Sequence, residues 1–162
     1  MATNNHYLDG MISSPLGVLG IRMHQHAVSE VCFLPADTVV TTQAPSDAIA
    51  AQFAAYFADA NHVFDLPVHI TGTPFQQRVW NALREIPRGT TLTYGELAKQ
   101  LRTSPRAIGQ ACRSNPVPII VPCHRVTSAK GLGGYAGDTQ GKLAEIKEWL
   151  LQHECRGNVS PV

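Results

Sequence analysis

The sequence lacks the features of a membrane-spanning, exported or disulfide-bonded protein. No apolar run approaches the ~20 residues that a spanning helix needs, and the polar segment 1–10 has no basic stretch leading into an apolar one. The four cysteines, Cys32, Cys112, Cys123 and Cys155, have the spacing of neither a disulfide framework nor a CxxC metal site. We therefore expect a cytoplasmic protein with free cysteines, no cofactor and no metal.

Charge is also scarce, and its distribution is uneven. Charged residues make up 15% of the 162 residues, and the net charge is only +1. Residues 1–70 contain one basic residue against six acidic ones, whereas residues 71–162 contain twelve basic against six acidic. A one-sided excess of positive charge favours a polyanionic partner. Because the basic residues concentrate around Cys123, we expect nucleic acid, although a solvated basic face is the alternative.

The acidic half, residues 1–70, reads as a scaffold of strands and one helix. Residues 16–23 and 27–33 alternate between apolar and polar side chains, which predicts a hairpin. Ser46 or Asp47 can cap a helix. Residues 62–70 resemble another strand, broken by Pro67. The apolar stripe predicted for the helix consists of Ile49, Phe53 and Phe57.

The basic half begins after a linker near Asp65–Thr73 and reads as mostly helical. Thr73-Pro74 caps and opens one helix, a second starts at Thr93-Tyr94, and Ser104-Pro105 opens a third that runs to about Arg113. Two short helices about three residues apart fit a helix-turn-helix that binds DNA, with an ordinary αα-hairpin as the alternative. The third helix would expose small residues for close approach to a backbone: Ala107, Gly109 and Ala111.

The most unusual stretch is 115–126, Asn-Pro-Val-Pro-Ile-Ile-Val-Pro-Cys-His-Arg-Val. Its three prolines exclude an ordinary interior strand and predict a rigid, irregular segment. On an extended segment Cys123 and His124 would point to opposite faces, so a direct pair needs a bend or a bridging water. An imidazole and a guanidinium beside a thiol favour the thiolate. The hypothesis is a nucleophilic Cys123; the alternative is a buried structural cysteine.

The remaining C-terminal sequence predicts a loop and a helix. Segment 128–141 is glycine-rich but lacks the strand-to-helix context of a phosphate-binding loop. A final helix is expected from Lys142 to about Glu154, with an apolar face made by Leu143, Ile146 and Leu150.

The stretch 115–126 resembles, nearly letter for letter, the active-site signature of the O6-alkylguanine-DNA alkyltransferases, also called methylated-DNA–protein-cysteine methyltransferases. The similarity is strong over residues 72–155 and weak before residue 70. It implies an α/β (α+β) fold with two domains. A small N-terminal sheet-and-helix domain would span 1–70. A mostly helical domain over 71–162 would carry the helix-turn-helix and the active-site cysteine loop.

The resemblance also implies chemical roles for four side chains. Cys123 would take the alkyl group from guanine O6. His124 would act on Cys123 through a water, and Glu154 would orient His124. Tyr94 would contact the guanine, assist rotation of the target phosphate and supply the proton for the leaving base.

Further positions are implied to bind DNA or to form the pocket. Arg106 would enter the base stack and fill the gap left by the flipped base, and Asn115 would act as a hinge. Backbone atoms of Cys123 and Val126 would meet the guanine amine. Ala136 stands where many relatives have serine, and segment 138–145 is longer than usual. The complete DNA-binding set is Tyr94, Arg106, Ala107, Gly109 and Arg113; the pocket and structural set is Asn115, Pro122, Val126, Tyr135 and Ala136.

Together these features predict direct-reversal DNA repair: irreversible, single-use transfer of an alkyl group from O6-alkylguanine to Cys123 after base flipping. The expected partner is duplex DNA, bound through its minor groove by a monomer. O4-alkylthymine as substrate and cooperative binding are left open. A lesion-binding relative without repair activity is a rival, but such proteins typically lack the acceptor cysteine. A cysteine hydrolase is another, but no oxyanion hole is visible in the sequence.

Overall fold

The computed structural model describes residues 8–129 and 142–157, with side chains up to Cys155. The chain divides between Ile70 and Thr71 into two compact units. Strands and helices are mixed, and the predicted α/β class is confirmed. None of the described helices is long and apolar enough to span a membrane.

The first unit is built on a three-stranded antiparallel sheet in the order β1-β2-β3. The strands are β1 (Gly10–Ser14), β2 (Gly17–His24) and β3 (Ala27–Phe33). The predicted hairpin is therefore present as β2 and β3, while β1 was missed. The buried side chains of the sheet include Leu19, Ile21 and Val28, and they form one apolar face.

Helix α1 (Asp47–Ala58) begins as predicted, because the Ser46 hydroxyl accepts a hydrogen bond from the Ile49 N–H at 3.2 Å. Its buried face differs from the prediction in one residue. Ile49, Phe53 and Tyr56 are buried, whereas Phe57 is only half-buried. The spacing is i, i+4, i+7, which follows the 3.6-residue period more closely than i, i+4, i+8.

The predicted strand over 62–70 is wrong. This segment contributes a single bridge between Val68 and Val28. The Val28 N–H donates to the Pro67 carbonyl, and the His69 N–H donates to the Val28 carbonyl, both at 2.9 Å. Proline has no N–H but keeps its carbonyl, so Pro67 can accept one bond without extending a ladder.

The described part of the second unit contains four α-helices and a short parallel pair of strands. Helix α2 (Pro74–Arg84) and helix α3 (Tyr94–Leu101) each start with a complete capping box, at Thr73 and Thr93. Helix α4 (Pro105–Arg113) is capped by Ser104. The remaining elements are β4 (Leu92–Thr93), which pairs with β5 (Val126–Thr127), and the last helix α5 (Lys142–Gly157).

The turn between α3 and α4 fits the predicted helix-turn-helix. Arg102 takes a left-handed conformation (φ 56°), and the Thr103 N–H closes the end of α3 on the Ala98 carbonyl at 2.9 Å. Arg78 of α2 donates to the Leu101 carbonyl at 2.6 Å. The Trp80 indole donates to the Ala111 carbonyl at 2.9 Å. Helix α2 thus holds both members of the helix pair in place.

Candidate active site and nucleic-acid interface

The proline-rich segment ends in a turn that presents the cysteine. Residues Cys123–Arg125 form one turn of 3-10 helix after Pro122, and the Cys123 N–H donates to the Val121 carbonyl at 2.8 Å. The segment around Cys123 is therefore irregular, as the three prolines predicted, and the argument that Cys123 and His124 would point to opposite faces of an extended segment does not apply. Ile119 also has a positive φ of 76°, a strained conformation for a β-branched residue.

Asn115 fixes the shape of this segment. Its side-chain amide donates to the Val121 carbonyl at 2.8 Å, and its carbonyl oxygen accepts from the Val117 N–H at 3.0 Å. The Asn115 backbone N–H donates to the Cys112 carbonyl at 3.2 Å. One residue therefore connects the last turn of α4 to the backbone just before Cys123.

His124 lies beside a fully buried carboxylate. Its Nε2 is 2.9 Å from Oε2 of Glu154, and both residues are completely buried. Burial lowers the pKa of His124, and this effect is larger than the rise caused by the hydrogen bond and charge of Glu154. The ring is therefore neutral at pH 7. An ionised carboxylate only accepts hydrogen bonds, so Nε2 carries the ring proton. Nδ1 is then the basic nitrogen, and it has no hydrogen-bond partner among the described residues.

Arg125 completes the binding of Glu154. Its Nε and Nη2 donate to the two carboxylate oxygens at 2.9 and 2.8 Å, and its Nη1 donates to the Ile86 carbonyl at 2.6 Å. Burial alone would raise the pKa of Glu154, but the bonds from His124 and Arg125 hold it far below its usual value. All three nitrogens of the Arg125 guanidinium therefore donate to Glu154 or to the Ile86 carbonyl. The expectation that Arg125 acts on the thiol is not supported.

Lys147 of α5 is a second buried cation, and sequence reasoning missed it. Its side chain is fully buried, its Nζ donates to the Val126 carbonyl at 2.7 Å, and it lies 5.7 Å from the centre of the Tyr94 ring. Burial lowers its pKa to about 8, against the opposing charges of Cys123 and Cys112. The signal was present in the sequence: a lysine four residues after Leu143 and three before Leu150 belongs to the apolar stripe of the helix.

Tyr94 and Cys112 are two further ionisable side chains near Lys147 and Cys123. Burial, followed by the charges of the two thiols, raises the pKa of Tyr94 to about 12. Burial likewise raises the pKa of Cys112 above its usual value. Both groups therefore stay protonated at neutral pH. Tyr94 can act as a hydrogen-bond donor, and Cys112 is an inert thiol.

An open cavity of about 530 Å³ lies between α3, α4 and the segment after β5. It brings together three of the predicted site residues, Tyr94, Arg106 and Gly109. A Cβ atom built on Gly109 would have no neighbour within 4 Å, so this wall is open to an approaching molecule. Among the described residues, the lining consists of Thr93, Tyr94, Gly95, Pro105, Arg106, Gly109, Ser128 and Ala129.

The other predicted positions are placed as follows. Arg113 is exposed and Ala107 is half-buried on α4, whereas Ala111 is buried and was wrongly assigned to the exposed face. Pro122 and Val126 are buried around the cysteine turn. Tyr135 and Ala136 lie outside the described residues. Within residues 8–129 and 142–157, no group of three or more His, Cys, Asp or Glu side chains could hold a metal ion.

Comparison with known proteins identifies the family. Residues 74–156 match the family model described as 6-O-methylguanine DNA methyltransferase, DNA binding domain. A Methanosarcina acetivorans methylated-DNA–protein-cysteine methyltransferase is 50% identical over 106 residues, which cover 64% of this chain and 65%, less than two thirds, of that protein. The Mycobacterium bovis protein of the same name is 42% identical over 146 residues, covering 84% of this chain and 88% of the relative.

Solved structures extend the likeness over nearly the whole chain. The Mycobacterium tuberculosis O6-methylguanine methyltransferase has a TM-score of 0.77 and 38% identity, covering 94% of this chain and 93% of that one. M. tuberculosis OGT in complex with DNA gives a TM-score of 0.77 and 38% identity over 91% of this chain and 92% of that one. The resemblance inferred from segment 115–126 is confirmed, and the chain belongs to the methylated-DNA–protein-cysteine methyltransferase family.

Proposed function

We propose that this protein repairs O6-alkylguanine in DNA by transferring the alkyl group to Cys123. The observation that carries the proposal is the buried pair of His124 and Glu154, held behind a proline-braced cysteine turn. The names of the relatives support the reaction class. The Cys123 sulfur attacks the alkyl carbon, a C–S bond forms, and the C–O bond to the guanine breaks.

The thiol proton leaves by way of His124. The neutral ring carries its hydrogen on Nε2, so Nδ1 accepts the proton, through a bridging water. The resulting imidazolium is stabilised by the Glu154 carboxylate at 2.9 Å. Arg125 fixes that carboxylate by two hydrogen bonds, so the carboxylate is oriented before the reaction begins.

The guanine leaves as an anion and needs a proton or a hydrogen-bond donor. Tyr94 fits this role because it lines the cavity and keeps its phenolic proton at neutral pH, with a pKa of about 12. The Tyr94 phenol and the Cys123 sulfur would therefore act on opposite ends of the bond that breaks: the phenol on the leaving base, and the sulfur on the alkyl carbon.

The DNA is bound by α4 through its minor groove, with the target base flipped into the cavity. A base inside a duplex cannot be reached by a buried thiol, so the nucleotide must leave the stack. Arg106 is exposed at the start of α4 beside the cavity, where it can fill the gap that remains. Gly109 allows close approach of the DNA sugar-phosphate backbone to α4. The exposed Arg113 supplies a phosphate contact at the other end of the helix. The protein acts as a monomer.

The reaction occurs once for each molecule. Its product is a thioether on Cys123, and a C–S bond at saturated carbon breaks only with a strong nucleophile. Cys112 stays protonated and is inert at neutral pH. The protein is therefore consumed in stoichiometric amount, and the acidic first unit, residues 1–70, serves as scaffold.

The test is intact-protein mass spectrometry after incubation with duplex DNA that carries one O6-methylguanine. We expect a stable gain of one methylene mass on Cys123 and no more than one equivalent of repaired guanine. Lesion binding without a mass gain would instead identify a damage-binding protein. Repeated turnover without a mass gain would identify a hydrolase.

A further inference from the structure

The outer face of helix α4 carries one polar side chain to which the proposed alkyl transfer assigns no role. The inner face of the helix is formed by the buried residues Ile108, Ala111 and Cys112. The outer face, at the spacing i, i+3, i+4 and i+7, is formed by Arg106, Gly109, Gln110 and Arg113. Gln110 is exposed and is the uncharged polar member of this face, so its contact with DNA must differ from the contacts of the two arginines.

The last turn of α4 fixes the backbone at Gln110. Its carbonyl accepts hydrogen bonds from the Ser114 N–H and from the Ser114 hydroxyl, both at 3.1 Å. Gly109 and Gln110 are about 100° apart around the helix axis, on opposite sides of the line from Arg106 to Arg113. Gly109 lines the cavity, whereas Gln110 is not among its described lining residues. The Gln110 side chain therefore projects away from the cavity that would hold the flipped base, toward DNA that stays paired.

The distance along the helix places Gln110 near a particular base pair. A helix rises about 1.5 Å per residue, so Gln110 lies about 6 Å along α4 from Arg106. Neighbouring base pairs are about 3.4 Å apart along the duplex. With Arg106 in the gap left by the flipped base, Gln110 would lie about two base pairs from the lesion.

The chemistry of a glutamine amide suits a base edge better than a phosphate. Glutamine has no charge and so gains little from the electrostatic attraction that draws Arg106 and Arg113 to phosphates. Its amide presents one acceptor, Oε1, beside a donor, Nε2. In the minor groove guanine presents the N2 amine as donor beside the N3 acceptor, whereas an A·T pair presents acceptors only. Guanine can therefore bind both ends of the amide, and an A·T pair only its donor.

Building on the proposed minor-groove binding, we propose that Gln110 is a specificity-determining residue, whose amide reads a guanine about two base pairs from the lesion. Oε1 accepts from the guanine N2 amine, and Nε2 donates to the guanine N3. Repair should therefore be faster where a G·C pair lies at that position. Arg106 and Arg113 fix the register of α4 on the duplex, and Gln110 adds the preference for sequence.

The experiment varies one amino group of the DNA. Duplexes carry one O6-methylguanine and a test pair, placed in turn at the first and second positions on either side of it. The test pair is G·C, inosine·C, A·T or 2,6-diaminopurine·T. Inosine·C lacks the minor-groove amine of G·C, and diaminopurine·T adds that amine to an A·T pair. The rate of methylation of Cys123 is measured by intact-protein mass, with protein in excess and at fixed salt.

At one position the parent should react about fivefold or more faster with G·C and diaminopurine·T than with inosine·C and A·T. Gln110→Ala should react at the same rate with all four duplexes and normally with free O6-benzylguanine. Gln100→Ala, at an exposed glutamine of α3, is the matched control and should retain the preference of the parent. Arg113→Ala should slow all four reactions alike, because a phosphate contact carries no sequence information.

Equal rates of the parent on the four duplexes at every position would overturn the inference. A preference that persists in Gln110→Ala would also overturn it, because DNA shape rather than the amide would then explain the preference. In both cases Cys123 is still methylated, so the proposed repair function stands. Absence of methylation on every duplex would overturn the repair function and, with it, the role of Gln110.

Discussion

The two units of this protein differ in how deeply their charged side chains are buried. In the first unit the described ion pair, Arg22 with Glu30 at 3.1 Å, lies at the surface with about two fifths of each side chain exposed. In the second unit Glu154, Lys147 and His124 are all fully buried. Surface pairs contribute little to stability, whereas a buried charge is costly unless every partner is in place. Among the described residues, the buried charged and polar side chains all lie in the second unit, where the proposed chemistry takes place, whereas the buried side chains of the first unit are apolar.

The most severe test of this contrast is loss of the acceptor thiol. Cys123→Ala should abolish alkyl transfer completely and leave duplex affinity nearly intact, because the thiol supplies chemistry rather than phosphate contacts. The measurement is protein mass after reaction, together with DNA binding at fixed salt. Cys32→Ala in the first unit is the control and should react normally. Transfer that persists in Cys123→Ala, or maps to Cys32, Cys112 or Cys155, would contradict the assignment.

Arg106→Ala should separate DNA handling from chemistry. We expect a loss of about 1–3 kcal/mol in the duplex reaction, roughly five- to 150-fold in rate. Free O6-benzylguanine should react almost normally, since it needs no base flipping. Arg22→Ala, which removes the arginine of the acidic unit, is the control and should change neither rate. Equal losses on both substrates would make Arg106 a structural residue.

Glu154→Gln and Glu30→Gln compare a buried and an exposed carboxylate directly. Removing the buried anion leaves Arg125 and His124 without their partner and should cost about 3 kcal/mol of unfolding free energy. The exposed change should cost less than about 1 kcal/mol. Urea unfolding measures both, and Glu154→Gln should also move the pH dependence of the rate at which iodoacetamide alkylates Cys123 toward higher pH. Similar costs in the two variants would remove the contrast.

The smallest effect concerns acid. The pKa of Glu154 is depressed on folding, so its contribution is present above its unfolded value of about 4.3 and is lost as the pH falls. The pKa of His124 is also lowered, so as the pH falls His124 binds a proton near pH 6.5 in the unfolded chain but only at lower pH in the folded chain. Both act in the same direction. Unfolding free energy should fall from pH 7 to pH 4, and less steeply in Glu154→Gln. A profile identical to the parent's would contradict these assignments.

Local interactions were predictable from the sequence. The caps at Ser46, Thr73, Thr93 and Ser104 each depend on residues within three positions, and all four helices start where they were expected. Glu154 and His124 were found through the resemblance, and the structure brings them into contact across 30 residues of sequence.

Nonlocal interactions were not predictable. Residues 62–70 have the composition of a strand but found one bridging partner, at Val28. The 3-10 turn at Cys123 depends on the Asn115 amide bonding back to Val121, which residue spacing does not reveal. Lys147 lies within the apolar stripe of α5, but its partners, the Val126 carbonyl and the Tyr94 ring, are far away in the sequence.

The burial of Cys123 has a consequence for the protein after it has reacted. Converting the Cys123 sulfur into a thioether would add an alkyl group to a buried side chain, in a turn that the Asn115 amide and Pro122 hold in place. Extra volume in a packed interior forces neighbouring side chains out of their preferred positions and typically costs about 1–3 kcal/mol. The used molecule should therefore melt at a lower temperature and be cleaved faster by proteases than the unused one. Alkylation would then mark its own product for removal, so that spent protein does not compete with fresh copies for damaged DNA.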